Sequence, residues 1–292
     1  MLAARTQPRP RGIVYTTRGN THGPITRLVS PSDLGEVMKP FVFLDLAYFD
    51  GRTAPMPMEQ FWHPHSGIAT VTVPLDGAIR VVDTTGADVV LPAGGIEWMR
   101  AGNGVWHTGQ AQPGEVRLFQ LWVALPPELE NGATASRYVQ PEEVPAVGPA
   151  RVILGAYGGA HSPIDAPPMT YLQVSLAPGE HWRYQPPPGH EVAWVAVAGG
   201  ALHIPEGVAG RVAGGAVAVF EPSEAAIDFV AEGPTRFVLG SAPPHRHPLV
   251  LGNYSVHTSP EALRRGEDEI RRIGRQLRAA GTLRHARPAV AL

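Results

Sequence analysis

Short runs of alternating apolar residues, separated by turns that contain glycine or proline, recur about every ten residues along most of the chain. The runs are rich in Val, Ile, Phe and Trp, which favour strands. Strands spaced in this way are typical of an all-β sandwich or barrel and not of βαβ units. The predicted strands are Ile68–Pro74, Ala78–Val82, Asp88–Leu91, Leu118–Val123, Met169–Leu176, Val192–Val197, Ala216–Phe220 and Thr235–Leu239.

The composition agrees with a turn-rich globular chain and excludes several kinds of chemistry. The 292 residues include 33 glycines and 31 prolines, which leave little room for long helices. Cysteine is absent, so disulfides, thiolate metal ligands and thiol nucleophiles are excluded, and Lys39 is the only lysine. The formal net charge of −2 argues against a broad basic surface, and we expect no direct nucleic-acid partner.

The sequence contains no segment that resembles a signal peptide or a membrane span. Residues 1–11 carry three arginines, but no apolar stretch follows them. The longest uncharged apolar run lies near Val192–Leu202 and has about half of the roughly 20 residues that a span needs. We therefore expect a cytoplasmic protein with no membrane partner.

The strands fall into two sets, one on each side of a polar, proline-bearing stretch at Ala124–Ala150. Both sets contain a strand that ends in a glycine turn, at Val73–Gly77 and at Val195–Gly199, which indicates a duplication. We predict an N-terminal barrel over residues 1–139, a linker over 140–150, a second barrel over 151–258, and a helix with a tail over 259–292.

A clear helix signal occurs only near the C-terminus. The segment Thr258-Ser-Pro-Glu261 offers a cap, a proline at the first helical position and a capping-box glutamate. Gly281 is a suitable stop. The chain has eight arginines and four acidic residues from Glu261 onward, which predicts a solvated helix docked on a barrel, with a nucleic-acid or phosphate contact as the alternative. The predicted apolar face consists of Leu263, Ile270, Ile273 and Leu277.

Three histidines form the best candidate site. His63 and His65 occur as His-Pro-His, and in a strand both imidazoles would project from the same face. His107 follows His65 by 42 residues, and a meander of strands would return it beside the pair. Imidazole binds Fe, Ni, Cu and Zn, and a small barrel can hold one metal ion. The spacing leaves two alternatives, a metal site or a pair of surface histidines with a hydrogen-bonded core His107.

Longer motifs surround these histidines. They are Trp62-His-Pro-His-Ser-Gly67, the segment Leu91-Pro-Ala-Gly-Gly-Ile-Glu-Trp-Met-Arg-Ala-Gly-Asn-Gly-Val-Trp-His107, and Phe119-Gln-Leu-Trp-Val-Ala-Leu-Pro126. These motifs resemble the pirin family, and the similarity covers nearly the whole chain, most strongly residues 60–126. The resemblance implies two cupin (jelly-roll) β-barrels in one chain with a short C-terminal α-helix. It also implies a metal ion in the N-terminal barrel, usually iron, held by His63, His65 and His107.

The resemblance also identifies carboxylates that this chain lacks. Pirin-like proteins carry a glutamate two residues after the third histidine, where this chain has Gly109, and the acidic position four residues after the second histidine in many cupins is Ala69. In relatives that act as quercetinases, which cleave flavonols with dioxygen, that glutamate is taken to be the base for the flavonol hydroxyl. Glu97 is a candidate replacement, as ligand or catalytic base, with a hydrogen bond at the barrel rim as the alternative. Gln120 is a candidate hydrogen-bond partner behind a ligating histidine, with a purely structural role as the alternative.

Four tryptophans lie close to the histidine motifs in sequence, namely Trp62, Trp98, Trp106 and Trp122. They could form an aromatic pocket that stacks a planar substrate, or they could be ordinary barrel core. Trp62 directly precedes His63, and Trp106 directly precedes His107, so strand alternation points both indoles to the outside of the barrel.

Three functional hypotheses remain at this stage. The first is a metal-dependent dioxygenase of the quercetinase type, acting on a planar flavonol-like substrate with iron, or else nickel, copper or zinc. The second is a non-catalytic regulatory protein that binds protein partners, either without metal or with the metal as a redox sensor. The third is a three-histidine zinc or iron site with different chemistry.

Overall fold

The computed structural model describes residues 11–52, 58–205 and 210–283. Strands and turns make up most of these residues, and two α-helices are described, α1 at Leu34–Met38 and α2 at Pro260–Ala279. The described strands are β1 Ile13–Thr17, β2 Asn20–His22, β3 Ile25–Val29, β4 Phe41–Phe49, β5 His63–His65, β6 Ile68–Asp76, β7 Ala78–Asp83, β8 Asp88–Pro92, β9 Ile96–Arg100, β10 Val105–Ala111, β11 Val116–Ala124, β12 Ala135–Val139, β13 Ala146–Val147, β14 Ala150–Leu154, β15 Ala156–Tyr157, β16 Ala160–His161, β17 Thr170–Leu176, β18 His181–Tyr184, β19 Val192–Gly199, β20 Ala201–Ile204, β21 Gly210–Ala213, β22 Ala216–Phe220, β23 Ile227–Ala231, β24 Thr235–Ala242, β25 Val250–Gly252 and β26 Ser255–His257.

The predicted all-β architecture is confirmed. Each of the eight predicted strands coincides with an observed one, and only Met169 lies outside its strand, by one residue. Glycines mark the ends of many strands, as at Gly77 between β6 and β7, where the positive φ of 71° is a conformation that glycine adopts readily. The regular spacing of the turns therefore predicts these strands correctly.

One compact unit, which we call the first barrel, consists of residues 19–144 and 245–283. It contains a seven-stranded sheet in the order β12-β9-β6-β11-β4-β3-β2 and a four-stranded sheet in the order β5-β10-β7-β8. On β11, Leu118 and Trp122 belong to two different apolar clusters and flank the half-buried Gln120 on the same face. The interior of the first barrel therefore mixes polar and apolar side chains.

The other compact unit, the second barrel, consists of residues 11–18 and 145–244. It repeats the seven-plus-four arrangement, with sheets β1-β22-β19-β24-β17-β14-β13 and β18-β23-β20-β21. Its described residues include an apolar cluster that contains Trp182, Phe229 and Phe237. The repeated topology agrees with the duplication that the glycine turns indicate.

The two units differ from the predicted segments at their ends. Pairing of β1 with β22 places residues 11–18 in the second barrel, and residues 245–283 lie in the first barrel. The predicted linker contains β13, which pairs with β14 in the sheet of the second barrel. The boundaries at 139, 150 and 258 stay predictions, and residues 1–10 and 284–292 of the predicted segments lie outside the described residues.

Helix α2 begins where the sequence predicts it. Ser259 is the N-cap and its hydroxyl accepts a hydrogen bond from the backbone of Ala262, with Pro260 at the first helical position. The buried stripe differs from the predicted apolar face, because it consists of Ala262, Gly266, Ile270 and Gly274. Small residues let the helix backbone approach the barrel closely, so Leu263, Ile273 and Leu277 are only half-buried. No helix in the described ranges is long and apolar enough to cross a membrane.

Candidate metal centre

The three histidines that the sequence singles out meet at one point in the first barrel. His63 and His65 lie on β5, which pairs with β10 so that His107 is opposite His63 and Val105 is opposite His65. The Nε2 atom of His107 lies 2.9 Å from that of His63 and 3.1 Å from that of His65. Among the described residues this is the one group of three potential metal-ligating side chains, with ligand atoms all within 4.8 Å of one another.

The other ring nitrogens of two histidines are held by backbone carbonyl groups. Nδ1 of His63 donates to the carbonyl oxygen of Phe61 at 2.7 Å, and Nδ1 of His65 donates to that of Tyr254 at 3.1 Å. A carbonyl oxygen can only accept, so each Nδ1 carries the proton in this arrangement. The Nε2 atoms of both rings then present lone pairs to the centre of the cluster.

Burial keeps the three imidazoles neutral. Desolvation lowers the pKa of His63, and it lowers the pKa values of His65 and His107 well below the ordinary range, with the neighbouring imidazoles adding to the effect. Neutral imidazole is the form that binds metal ions.

Glu97 lies behind His107 and not among the converging nitrogens. Its Oε1 is 3.9 Å from Nδ1 of His107, and its Oε2 accepts a hydrogen bond from the hydroxyl of Thr72. Within the described parts of the chain, neither Oε1 nor Nδ1 has a hydrogen-bond partner. Burial raises the pKa of Glu97 to about 7, and the hydrogen bond from Thr72 opposes that rise.

The two positions that lack the family carboxylates differ in their surroundings. Gly109 follows His107 by two residues on β10, so both residues share one face of the strand. Gly109 is exposed, and a Cβ built there would meet only the carbonyl oxygen of Arg80, at 3.9 Å. Ala69 is fully buried on β6, on the opposite face from Thr70. Gly109 therefore has room for a side chain, whereas Ala69 is enclosed by the protein.

Gln120 belongs to the same cross-strand row of the seven-stranded sheet as Glu97. It is directly opposite Thr72 on β6 and Asp45 on β4, and it is half-buried. In the described ranges we observe no hydrogen bond from its amide to His63, His65 or His107. Its role behind a ligating histidine stays a prediction.

Aromatic rings form one wall of the cluster. Trp122 packs edge-on against His65, with ring centroids 4.9 Å apart, and stacks on Phe43 at 4.0 Å. Tyr254 lies 5.4 Å from His63 and 5.9 Å from His65, measured between ring centroids. Of the four tryptophans near the motifs, Trp122 is thus the one with a ring contact to the cluster.

Two features of the site come from the C-terminal hairpin β25–β26, which sequence reasoning did not connect to it. Tyr254, at the turn, has a positive φ of 61° and supplies the carbonyl oxygen that holds His65. Next to His65, the hydroxyl of Ser66 contacts Ser255 at 2.8 Å and Nε2 of His257 at 3.0 Å. The local signal for this hairpin is the turn dipeptide Gly252-Asn253, which does not reveal what the turn contacts.

The fold and the histidine cluster together define a class of protein. Two barrels of seven-plus-four strands, with three histidines in one of them, form a bicupin. A family model described as Pirin matches residues 24–123, which include His63, His65 and His107. Those residues are a Pirin domain, and the resemblance of the chain to the pirin family is confirmed.

Individual relatives agree with this result. A Pseudomonas aeruginosa protein, named provisionally as a quercetin 2,3-dioxygenase, is 28% identical over 273 residues, which cover 88% of this chain and 93% of that protein. A pirin-like protein of Caulobacter vibrioides is 37% identical over 124 residues, covering 41% of this chain and 44% of the relative.

Solved structures show the same fold. The crystal structure of quercetin 2,3-dioxygenase from Acinetobacter baumannii has a TM-score of 0.81 at 23% identity, covering 90% of this chain and 97% of that one. The bacterial pirin YhhW from Escherichia coli, solved in complex with nickel(II), has a TM-score of 0.59 at 20% identity, covering 80% of this chain and 96% of that one. At these identities the likeness concerns the fold alone.

Proposed function

We propose that this protein binds one divalent transition-metal ion through Nε2 of His63, His65 and His107. The observation that carries the proposal is the convergence of these three atoms, with separations of 2.9 and 3.1 Å, while Nδ1 of His63 and of His65 donates to a carbonyl oxygen. The lone pairs on Nε2 of His63 and His65 point to the centre of the cluster, and an ion there would lie within reach of all three nitrogens. The donor set therefore fits a metal ion.

The donor chemistry narrows the choice of metal. Three neutral imidazoles suit iron, nickel, copper or zinc, and cannot suit calcium or magnesium, which prefer oxygen ligands. Iron is the metal that we propose first.

For the reaction, we propose an oxygenase of the quercetinase type that acts on a planar, flavonol-like substrate. A bound metal ion would supply Lewis-acid and redox chemistry at the open side of the cluster. The chain itself supplies a flat aromatic wall at Trp122 and an exposed approach at Gly109. These features suit a planar molecule that enters from solvent.

Two buried polar atoms in this barrel are suited to orient such a substrate. The indole Nε1 of Trp122 and the hydroxyl of Thr70 lie opposite each other on β11 and β6, and neither has a hydrogen-bond partner within the described residues. Each can donate a hydrogen bond, and substrate oxygens would be their natural acceptors.

The chain lacks a base at the position where the resemblance expects one. Among the described residues no carboxylate joins the three histidines, because Gly109 has no side chain and Glu97 faces Nδ1 of His107. We therefore propose that the wild-type protein turns over flavonols slowly. Gly109 also favours a second candidate function, a pirin-like regulatory protein that keeps the metal and binds a protein partner without flavonol chemistry.

Metal analysis of the purified protein tests the proposal. We expect close to one iron, nickel, copper or zinc ion per wild-type chain and a loss of that metal in His63→Ala. His245→Ala is the matched control, because His245 and His247 repeat the His-x-His spacing outside the cluster. Metal retained in His63→Ala, or a metal-free wild type after reconstitution with each ion, would refute the site.

Flavonol turnover then separates the two candidate functions. Slow oxygen-dependent loss of quercetin by the metal-loaded wild type, abolished in His63→Ala, would support the oxygenase. A fully loaded protein without any turnover would favour the regulatory protein.

A further inference from the structure

We propose that Glu97 is a positioning residue that supports the metal site from behind His107 and supplies the negative charge that the three-histidine donor set lacks. This inference rests on the proposed metal site and adds a determinant of its affinity. It assigns Glu97 neither the ligand role nor the catalytic-base role that the sequence left open.

Glu97 and His107 each have a buried polar atom without a hydrogen-bond partner, and these two atoms lie near each other. Glu97 and His107 are 1% and 4% exposed, so their polar atoms have no access to solvent that could replace a protein partner. Oε1 of Glu97 and Nδ1 of His107 lie 3.9 Å apart, and neither atom has a hydrogen-bond partner within the described chain. Buried polar groups in native proteins are normally hydrogen-bonded, so this pair is poised to form that bond.

The sheet holds the side chain of Glu97 in this orientation. Thr72 lies directly opposite Glu97 across β6 and β9, and its hydroxyl donates to Oε2. On the other side, Tyr138 is the cross-strand neighbour of Glu97 on β12. With Oε2 engaged by Thr72, Oε1 is the oxygen left to face His107.

The group behind His107 differs in charge from the groups behind the other two histidines. The other two Nδ1 atoms of the cluster meet neutral carbonyl oxygens, of Phe61 and Tyr254, whereas His107 meets a carboxylate. A carboxylate behind a ligating imidazole fixes its tautomer and raises the basicity of the nitrogen that binds the metal. Glu97, when ionised, thus places its negative charge one imidazole away from the metal position, on the Nδ1 side of His107.

The experiment measures the affinity of the full-length protein for Co²⁺, which reports its own ligand geometry through visible absorption. Glu97→Gln keeps the size and a hydrogen-bond acceptor and removes only the charge. We expect its dissociation constant for Co²⁺ to rise by about 10- to 100-fold, as for other partners behind metal ligands. A dissociation constant within about twofold of wild type would overturn the inference.

Glu130→Gln is the matched control, because Glu130 forms a similar buried pair in the same barrel. Its Oε2 lies 3.3 Å from Nδ1 of His257, and Glu130 is 3% exposed, but His257 is not part of the cluster. We expect Co²⁺ affinity close to wild type in this variant. An equal loss of affinity in Glu130→Gln would show that any buried carboxylate has the same effect, and would overturn the inference.

Two more readouts distinguish a charge effect from a folding defect. Thr72→Val removes the hydroxyl that holds Oε2, and we expect a smaller loss of affinity than in Glu97→Gln, so this variant carries the test if Glu97→Gln does not fold. Gly109→Glu in the Glu97→Gln background adds a carboxylate on the face of β10 that His107 shares, and we expect it to restore affinity. Failure of both effects would overturn the inference.

The same titrations separate this inference from the proposed function. A wild-type chain that binds no Co²⁺ would overturn the metal site and the role of Glu97 together. A wild-type chain that binds Co²⁺ as tightly as Glu97→Gln would overturn only the role of Glu97.

Discussion

The indole nitrogen of Trp106 donates a 2.8 Å hydrogen bond to the carbonyl oxygen of Ile270, halfway along α2. Trp106 precedes His107 on β10, so strand alternation directs its side chain away from the cluster and toward the helix. Gly274 lies against the indole, because a Cβ at this position would approach Cζ2 of Trp106 to 2.8 Å. The strand that carries His107 is therefore attached directly to α2.

Loss of this hydrogen bond should weaken the docking of α2. Trp106→Phe keeps an aromatic ring but removes the N–H donor, and we expect the free energy of unfolding to fall by about 1 kcal/mol. Chemical denaturation measures the change. Trp62→Phe is the control, since Trp62 is also half-buried beside a cluster histidine and its indole makes no hydrogen bond within the described residues. Equal losses in both variants would contradict the anchoring role of Trp106.

A second contact point lies one turn before Ile270. A Cβ at Gly266 would lie 2.5 Å from the hydroxyl of Ser66 and 2.6 Å from Nε2 of His257, both of which are buried. Alanine normally stabilises a helix interior by about 1 kcal/mol relative to glycine, but overpacking costs about 1–3 kcal/mol. We expect the overpacking to dominate, because the displaced groups are hydrogen-bonded to each other.

The measurement is the unfolding free energy of Gly266→Ala, which we expect to fall. Gly109→Ala is the control, since its added Cβ meets nothing closer than 3.9 Å. A Gly266→Ala protein that is more stable than wild type would show that α2 does not press on Ser66 and His257 as described.

The sequence predicts the strands and the pairing of His63 with His65 because both follow from local rules. Turn spacing sets the strands, and the alternation of side chains puts His63 and His65 on one face. His107 does lie beside the pair, because β10 pairs directly with β5, but the strands between do not form the predicted meander, since β6 and β9 belong to the other sheet. Short-range periodicity predicts the all-β class, whereas the two cupin barrels and the choice of a metal site over surface histidines come from the resemblance to the pirin family.

The parts that the sequence does not predict depend on contacts between distant segments. Tyr254 reaches His65 across 189 residues, and His257 reaches Ser66 across 191, so no local pattern marks them. The face of α2 was predicted from its large apolar residues, whereas the close approach selects Gly266 and Gly274. The side of His107 on which Glu97 lies depends on the register of β9 and β10. The glycines between these two strands prevent a prediction of that register from the sequence.

The C-terminal segment should respond to acid through His245. Burial lowers the pKa of His245 from 6.5 to about 4, with His247 and Lys39 adding to the shift and Glu130 and Glu36 opposing it. The unfolded chain therefore takes up this proton first as the pH falls, so the folded state loses stability between pH 6.5 and about 4 and loses no more below that.

Denaturation at several pH values between 7.5 and 4 tests this expectation. We expect His245→Gln to show a smaller loss of stability on acidification than wild type, because glutamine does not titrate. His161→Gln serves as the control, since that side chain is exposed and does not contribute to the shift of His245. The same pH dependence in wild type and in His245→Gln would contradict the assignment of the effect to His245.

A glutamate at position 109 should convert the site into a faster flavonol oxygenase. Gly109 shares the face of His107, is exposed, and has space for a side chain, so Gly109→Glu can place a carboxylate beside the proposed metal position. General-base catalysis contributes about 100-fold or more in rate, and we expect a rise of that order in oxygen-dependent quercetin loss by the metal-loaded variant. Gly109→Gln adds a side chain of the same size without a base, and we expect it to stay at the wild-type rate. Equal turnover in Gly109→Glu and Gly109→Gln, at equal metal content, would mean that a missing base does not limit this protein, and would favour the regulatory function over the oxygenase.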